Sequence, residues 1–406
     1  MKILMINKFL YQNGGSESYM IKLGNYLQDC GHQVQYFGMY DQKNLVGNSY
    51  GLYAPAVNYH SEKKCSINML KTAVSTIYSK DSCKAVLQLL DKFSPDIVHL
   101  NNINFQITPA VIYPIHKKQI PIIQTVHDVQ IACPCHRFFI EYRQELCEQC
   151  EGGRYWKCIK NKCLHGSAAK STIAAAESYY YHIRGTYNLV DEYICPSKFI
   201  AGKISKAGID ERKISVMQNY CEKYHAAGGK KNSAKYVLYF GRLSIEKGIL
   251  SLLKICRSLT DLRFVFAGTG PLSGEIQEAA AEYPNIRYMG YQSGDGLAEL
   301  IASAHFSVCP SECYENCPMS VIESQALGIP VIGSSLGGIP ELIENGKTGL
   351  IFEGCNVQKL EQAIKLLWYD DKLRNEMHEN CLNKRKVTLE EYGEYMISEY
   401  KKLERS

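Results

Sequence analysis

The chain contains no apolar run of membrane-spanning length. Stretches such as Tyr236–Phe240 and Pro330–Gly333 are only a few residues long, whereas a bilayer helix needs about 20. The N-terminus, MKILMINKFL, has no long apolar core and no small-residue cleavage site, so it reads as a first β-strand rather than a signal peptide. These absences predict a cytoplasmic protein. Zinc-finger spacing and basic-aromatic strand signatures are also missing, and the lysines and arginines are scattered, which excludes nucleic acid as a partner. There is no repeat at a solenoid period and no low-complexity block. One Gly-x-Gly follows a strand pattern (Gly268, Gly270) but does not continue into G-x-G-x-x-G. That disfavours a hydride-transferring dinucleotide enzyme.

What is present is globular. The 406 residues are 46% hydrophobic and 21% charged, and the length suits two domains better than one. The formal charge of +5 is unevenly placed. Residues 1–200 carry 21 Lys+Arg against 15 Asp+Glu, the remainder 25 against 26. Solvated surface charge can produce such a split, and so can a first half that faces an anionic acceptor or a membrane surface. Of the 17 cysteines, Cys30, Cys65, Cys83, Cys221, Cys256 and Cys381 stand alone and read as small buried hydrophobes. Another group lies between Cys133 and Cys163.

Short apolar runs alternate with helical patterns through both halves. KILMINKF, QVQYFGMY, PDIVHLNN and IPIIQTVHD read as strands in the first; VLYFGR, FVFAGTG, FSVCPS and PVIGSS do so in the second. Strand–helix alternation predicts parallel sheets covered by helices, here as an α/β pair of doubly wound, Rossmann-like domains facing a central cleft. The expected bounds are 1–200, a linker over 201–233 containing AAGGKKNSA, a second domain over 234–385, and a C-terminal helix over 386–406 that returns to the first domain. Such folds bind ligands just beyond strand C-termini.

The motifs lie there. PSECYENCPMSVIESQALG places Glu315 in a loop after the strand FSVCP and Glu323 in the following helix. Asn316 reads as the N-cap, with Pro318 tolerated in the first turn and Gly328 as the stop. The amides of Met319, Ser320 and Val321 then form an anion site between two carboxylates. This suits a ligand with phosphate in the middle and hydroxyls at both ends; a capped helix with two surface glutamates would look the same. YFGRLSIEKG sets Arg242 and Lys247 where they can converge at a strand tip and neutralise a diphosphate, including charge that grows as it leaves. Gly268 and Gly270 are expected to let backbone approach a ligand closely. Gly337-Gly338 precede a helix carrying Glu341 in its first turn.

In this order and spacing, G-R-x4-K-G, G-x-G-P, E-x7-E and G-G-x-P-E-L-I resemble the family-4 retaining glycosyltransferases of the GT-B fold, over the whole chain and most specifically in the second half. The resemblance implies that Arg242 and Lys247 bind the donor diphosphate, Glu323 holds the ribose hydroxyls and Glu315 meets the transferred sugar. It places the amides near Met319 and Ser320 at phosphate and sugar, and the base near Tyr288–Tyr291. Where many members carry E-P-F-G, this chain has Glu315-Asn316-Cys317-Pro318, so the donor sugar cannot be copied across.

In the first half, Gly14-Gly15 ahead of a helix is either a plain turn or a phosphate-approach loop, and it is similar to the family's glycine-rich loop. His127-Asp128 follows a strand. A lone histidine is commonly structural, but the family's T-x-H-D-like stretch implies substrate positioning at the donor sugar. The segment CPCHRFFIEYRQELCEQCEGGRYWKCIKNKC contains a Cys-x2-Cys knuckle. A cytosolic compartment argues against disulfides, and four thiolates around zinc would brace an insertion lacking its own core. The insertion resembles one in a branch of the family, with Cys133, Cys147, Cys150 and Cys163 as expected ligands and Cys158 as the substitute.

The function expected from the resemblance is retaining transfer of a sugar from a UDP- or GDP-sugar to a saccharide or lipid-linked saccharide, in cell-envelope polysaccharide synthesis, with peripheral contact at the cytoplasmic membrane face. No catalytic cofactor is expected. The absence of any Asp-x-Asp pair accords with cationic side chains in place of a catalytic metal. Alternatives are a nucleotide-sugar epimerase or phosphorylase on the same fold, or a non-catalytic nucleotide-sugar-binding protein.

Overall fold

The computed structural model describes residues 1–55, 74–221 and 235–404. Cys65 and the segment AAGGKKNSA lie outside them. The chain divides into two compact units: Met1–Tyr142, Cys147–Gln218 and Leu389–Ser406 form the first; Arg143–Leu146 and Asn219–Thr388 form the second.

The first unit is built on a six-stranded sheet of β1 (Lys2–Ile6), β2 (Gln33–Phe37), β3 (Ile97–Leu100), β4 (Ile122–Thr125), β7 (Glu192–Cys195) and β8 (Ile214–Val216). Two short strands, β5 (Phe139–Ile140) and β6 (Glu145–Leu146), intervene in sequence. The sheet order is β2-β1-β3-β4-β7-β8, with parallel pairing throughout. Strands covered on both faces need continuous apolar runs rather than alternation. Accordingly, every residue of β3 and β4 is buried, including His99, Gln124 and Thr125.

The second unit repeats the plan with β9 (Val237–Phe240), β10 (Phe264–Ala267), β11 (Ile286–Tyr288), β12 (Phe306–Cys309), β13 (Val331–Ser334) and β14 (Gly349–Phe352), ordered β11-β10-β9-β12-β13-β14 and all parallel. The helix Ile249–Ser258 buries Ile249, Leu252, Leu253 and Cys256, the one-faced spacing of an amphipathic helix. These side chains join Phe264, Phe266 and Phe306 in the core.

Both sheets reverse direction once. The chain winds outward from β1 to β2, then returns to the other side of β1 with β3. It winds from β9 through β11, then returns beside β9 with β12. Each reversal opens a crevice at the strand C-termini, where doubly wound sheets bind ligands.

Two expectations change. The helix Lys198–Lys206 and β8 belong to the first unit, so residues 201–218 are helix, turn and edge strand rather than linker; β8 pairs along β7. Among the solitary cysteines, Cys221, Cys256 and Cys381 are buried, but Cys30 is exposed and Cys83 only half-buried, because Cys30 caps a helix end at the surface. The helix Leu389–Glu404 belongs to the first unit.

Candidate active site

In the second unit the reversal lies between β9 and β12, which pair at Phe306–Val237 and Ser307–Leu238. The loop after β9 carries Gly241 and Arg242, then a 3-10 turn, Ile245–Lys247. Gly248 follows with φ +71°, and a β-carbon there would stand 2.1 Å from the Pro310 carbonyl oxygen. Only glycine permits that approach. Together with the Glu312 amide donating to the Glu246 carbonyl (2.9 Å), it draws the β9 loop against the β12 loop.

As a result Lys247 Nζ lies 2.5 Å from Glu315 Oε1. The same oxygen accepts from Ser311 Oγ at 2.5 Å. Burial works to lower the Lys247 pKa, but the Glu315 carboxylate together with Cys313 and Tyr239 outweighs it and raises the value above that of ordinary lysine. The Glu315 backbone is held in turn: its carbonyl accepts from the Gly338 amide at 2.7 Å. Gly337, at φ +67°, is packed so that a β-carbon would be 2.1 Å from that carbonyl oxygen. Lys247 and Glu315, assigned by resemblance to the diphosphate and the transferred sugar, are therefore direct partners. Arg242 is exposed and has no ion-pair partner among the described residues.

The helix after the loop runs Met319–Ala326. Its N-cap is Pro318, with no side-chain capping bond, rather than Asn316. Proline's fixed φ places the entry two residues later, and the Val321 amide is taken by the Pro318 carbonyl (3.1 Å). Met319 and Ser320 thus sit at the helix start, and half-buried Glu323 lies one turn in. Gly268 and Gly270 lie tightly against the backbone of the loop after β9. A β-carbon at Gly268 would meet the Gly241 oxygen at 1.9 Å, and one at Gly270 the Leu243 oxygen at 2.2 Å, so these glycines let two loops of the protein pack backbone to backbone. Tyr288 donates to the Gly268 carbonyl (3.0 Å), and Tyr291 is 64% exposed.

In the first unit the reversal lies between β1 and β3. The Lys8 amide donates to the Asn102 carbonyl (2.8 Å) and the Asn102 amide to Asn7 Oδ1 (2.9 Å). His127, two residues beyond β4, donates from Nε2 to Asn101 Oδ1 (2.8 Å). Burial lowers its pKa to about 4, so the ring is neutral at physiological pH. Beside it, Lys8 Nζ donates to Asn104 Oδ1 (2.7 Å), while Asn104 Nδ2 reaches Asp128 Oδ2 (2.9 Å) and His136 Nδ1 (3.0 Å). Phe105 stacks on His136 with ring centroids 4.5 Å apart. Lys8, Asn101, Asn104 and His136 carry no recognisable motif; the only sequence signal is polar NNIN directly after an apolar strand. Gly14 and Gly15 are exposed at the start of the helix Gly15–Asp29. The first turn of that helix carries Glu17, buried and accepting from Asn7 Nδ2 (3.1 Å), so this helix start offers an anion a carboxylate as well as amides.

The cysteines of 133–163 do gather. Cys150, Cys158 and Cys163 are buried together, with Cys135 and Cys147 packed against them. Cys133 Sγ lies 3.3 Å from Cys135 Sγ. Contact with Cys135 raises the pKa of the Cys133 and Cys163 thiols, and those two contacts lower that of Cys135. Among the described residues, however, no three His, Cys, Asp or Glu side chains are arranged to hold a metal ion. Cys135, absent from the expected ligand set, contacts both Cys133 and Cys163.

The geometry can be set beside known proteins. Residues 221–384 match the model described as Glycosyl transferases group 1, and residues 13–221 match Glycosyltransferase Family 4. A GDP-mannose-dependent alpha-mannosyltransferase of Corynebacterium glutamicum is 26% identical over 72% of this chain and 64% of its own length. Sulfoquinovosyl transferase SQD2 of Arabidopsis thaliana is 30% identical over 34% of this chain and 27% of its own. The matched stretches thus span less than two thirds of these relatives. Anabaena Alr3699/HepE, solved in complex with UDP, superposes with a TM-score of 0.68 over 99% of this chain and 100% of that one, at 15% identity. The fold is GT-B, and the chain belongs to glycosyltransferase family 4.

Proposed function

We propose that the protein is a retaining glycosyltransferase that moves a sugar from a UDP- or GDP-sugar to a hydroxyl of a saccharide or lipid-linked saccharide in cell-envelope polysaccharide synthesis. The observation that carries this reading is the ion pair of Lys247 and Glu315 at the sheet reversal of the second unit, with Arg242 exposed on the same loop. Two cations there would neutralise the donor diphosphate and stabilise the charge that grows as the glycosidic bond breaks. Glu315 would accept from a sugar hydroxyl, and Glu323 from the ribose diol, as carboxylates do. The complexes of Alr3699/HepE with UDP and with UDP-glucose support a nucleotide-sugar donor.

Retention would follow from front-face attack. The departing phosphate oxygen takes the acceptor proton, so the protein need supply no base. His127, neutral and donating to Asn101, suits substrate positioning rather than proton abstraction. The basic first half suits an anionic acceptor or membrane surface. No helix among the described residues is long and apolar enough to cross a membrane, and contact at the cytoplasmic face would be peripheral. The cysteine-rich insertion enters as a structural brace.

The test is a thermal-shift screen of UDP, GDP and their sugars, followed by transfer assays with the donor it selects. One nucleoside diphosphate should raise Tm, and Arg242→Ala should abolish both the shift and most transfer. Absence of any nucleotide response would overturn the reading. Donor conversion without acceptor would favour an epimerase, and binding without turnover a non-catalytic protein.

A further inference from the structure

The first unit contains a buried polar chain that neither the sheet nor the proposed reaction requires. Tyr400 OH lies 2.6 Å from His99 Nδ1, and His99 Nε2 lies 2.8 Å from Thr125 Oγ1. Thr125 Oγ1 is 3.1 Å from Tyr19 OH, which is 2.8 Å from Tyr392 OH. His99, Thr125, Tyr392 and Tyr400 have no exposed surface, and Tyr19 is 6% exposed. The chain begins and ends on the C-terminal helix Leu389–Glu404. It passes through β3, the last residue of β4, and the helix Gly15–Asp29.

Phenylalanine, leucine and valine would fill the same volume without burying hydroxyls and an imidazole, so packing does not explain these residues. Their hydrogen-bonding capacity fits the chain, since a neutral imidazole has one donor and one acceptor, and each hydroxyl can donate once and accept. The register of the two helices is also fixed. A β-carbon at Gly393 would fall 2.1 Å from the Tyr26 ring, so the C-terminal helix lies tightly on its neighbour. Tyr392 and Tyr400, two turns apart, then face the same side.

The chain leads to His127. The Tyr19 ring meets the His127 imidazole edge to face, centroids 4.9 Å apart at 70°, and meets the Tyr392 ring at 5.6 Å and 86°. Thr125, which bonds both Tyr19 and His99, ends the strand two residues before His127. Asn101 takes the imidazole N–H on one side; the Tyr19 ring limits its rotation on another.

We propose that Tyr19, Tyr392 and Tyr400 are positioning residues for His127: the C-terminal helix locks the Tyr19 ring through this hydrogen-bonded chain, and the Tyr19 ring seats the imidazole. The catalytic consequence rests on the reading of His127 as a substrate-positioning group; the mechanical coupling does not. A C-terminal segment that only completed the fold would not need its tyrosine hydroxyls.

Full-length Tyr19→Phe, Tyr392→Phe and Tyr400→Phe keep every ring and remove one hydroxyl each, with Lys401→Ala, exposed on the same helix, as control. The His127 side-chain 15N–1H signal should shift or broaden in Tyr19→Phe, Tyr392→Phe and Tyr400→Phe and stay unchanged in Lys401→Ala, and an unaltered signal in Tyr400→Phe alone removes Tyr400 from the chain. Turnover at saturating donor should fall about 10-fold, with the KM for donor within about twofold and the far-UV spectrum unchanged. An unaltered His127 signal in Tyr19→Phe and Tyr392→Phe overturns the proposal, even if Tm falls, because the hydroxyls would then serve stability alone. His127→Ala separates the two layers. Wild-type turnover in that variant removes the catalytic role of His127, while the spectra still decide the coupling.

Discussion

Lys247→Met offers the sharpest trial of the site, because Lys247 pairs with Glu315 and is proposed to hold the donor diphosphate, two tasks with different magnitudes. Methionine keeps the stem and removes the charge, leaving the Glu315 carboxylate with only the Ser311 hydroxyl as a short partner. Removing one member of a fully buried pair costs about 3–5 kcal/mol, and an exposed pair contributes less than about 1 kcal/mol. The Lys247 and Glu315 side chains are 27% and 12% exposed, so a loss of about 2 kcal/mol is expected. For a unit of this size that corresponds to a Tm fall of roughly 4–8 °C.

The second task is the diphosphate. A charge-assisted bond from an ammonium to phosphate contributes about 1.5–3 kcal/mol, or ~10–100-fold in Kd. Glu315→Gln separates the two effects. It weakens the ion pair and lowers Tm, yet it frees the ammonium, so the affinity for a nucleoside diphosphate should hold or rise. The sugar-bearing donor should then lose more affinity than the bare diphosphate. Calorimetric titration of both variants with nucleoside diphosphates and their sugar-bearing donors reads this directly. If Lys247→Met lowers Tm but binds the diphosphate as tightly as the parent, Lys247 is a structural partner of Glu315, and the assignment to the donor fails.

Two further outcomes are expected. Gly270→Ala and Gly268→Ala, each forcing a β-carbon against a backbone oxygen about 2 Å away, should cost on the order of 1–3 kcal/mol apiece; an unchanged urea midpoint would refute the backbone-to-backbone packing. Glu177, buried and with Oε1 unbonded, has its pKa raised to about 8 by burial and then by Asp128. Its folded value lies above the unfolded one, so its stability contribution is complete below about pH 4 and is lost as pH rises through 8, at ~1.4 kcal/mol per unit. Glu177→Gln should flatten the stability profile between pH 5 and 8, and parallel profiles for the two proteins would rule this out.

The fold is largely legible in the sequence because it is written in short-range patterns. Runs such as IVHL, IIQT, VLYF and FVFA have no polar alternation, which is what a strand buried on both faces requires, and all are central parallel strands. Boundaries are harder. A linker starting at residue 201 comes too early because Ile214–Val216 is only three residues long and half-exposed, with little apolar signal. Residue type favours Asn316 as an N-cap, but Pro318 two residues later sets where the backbone can enter the helix. The cysteine segment shows the limit of spacing arguments. Cys-x2-Cys is visible along the chain, whereas the approach of Cys135 to Cys133 depends on how residues 133–139 fold back.

The harder part of the site to read is adjacency, and strand order explains why. Lys247 and Glu315 are 68 residues apart; His99 and Tyr400 are 301 apart. Nothing local to either residue names its partner. β9 and β12 become neighbours only because the chain returns beside β9 after laying down β10 and β11, and β1 and β3 do so after β2. A polar residue just past one of these strands therefore faces a polar residue from the other, however distant in sequence. The loops beyond β9 and β12 hold the cation and carboxylate, and those beyond β1 and β3 hold Lys8 and Asn101–Asn104. The reversal points thus determine which of the many polar residues at strand ends can act together: Arg242, Lys247 and Glu315 follow β9 and β12 directly, and His127, beyond β4, joins the other point through Asn101.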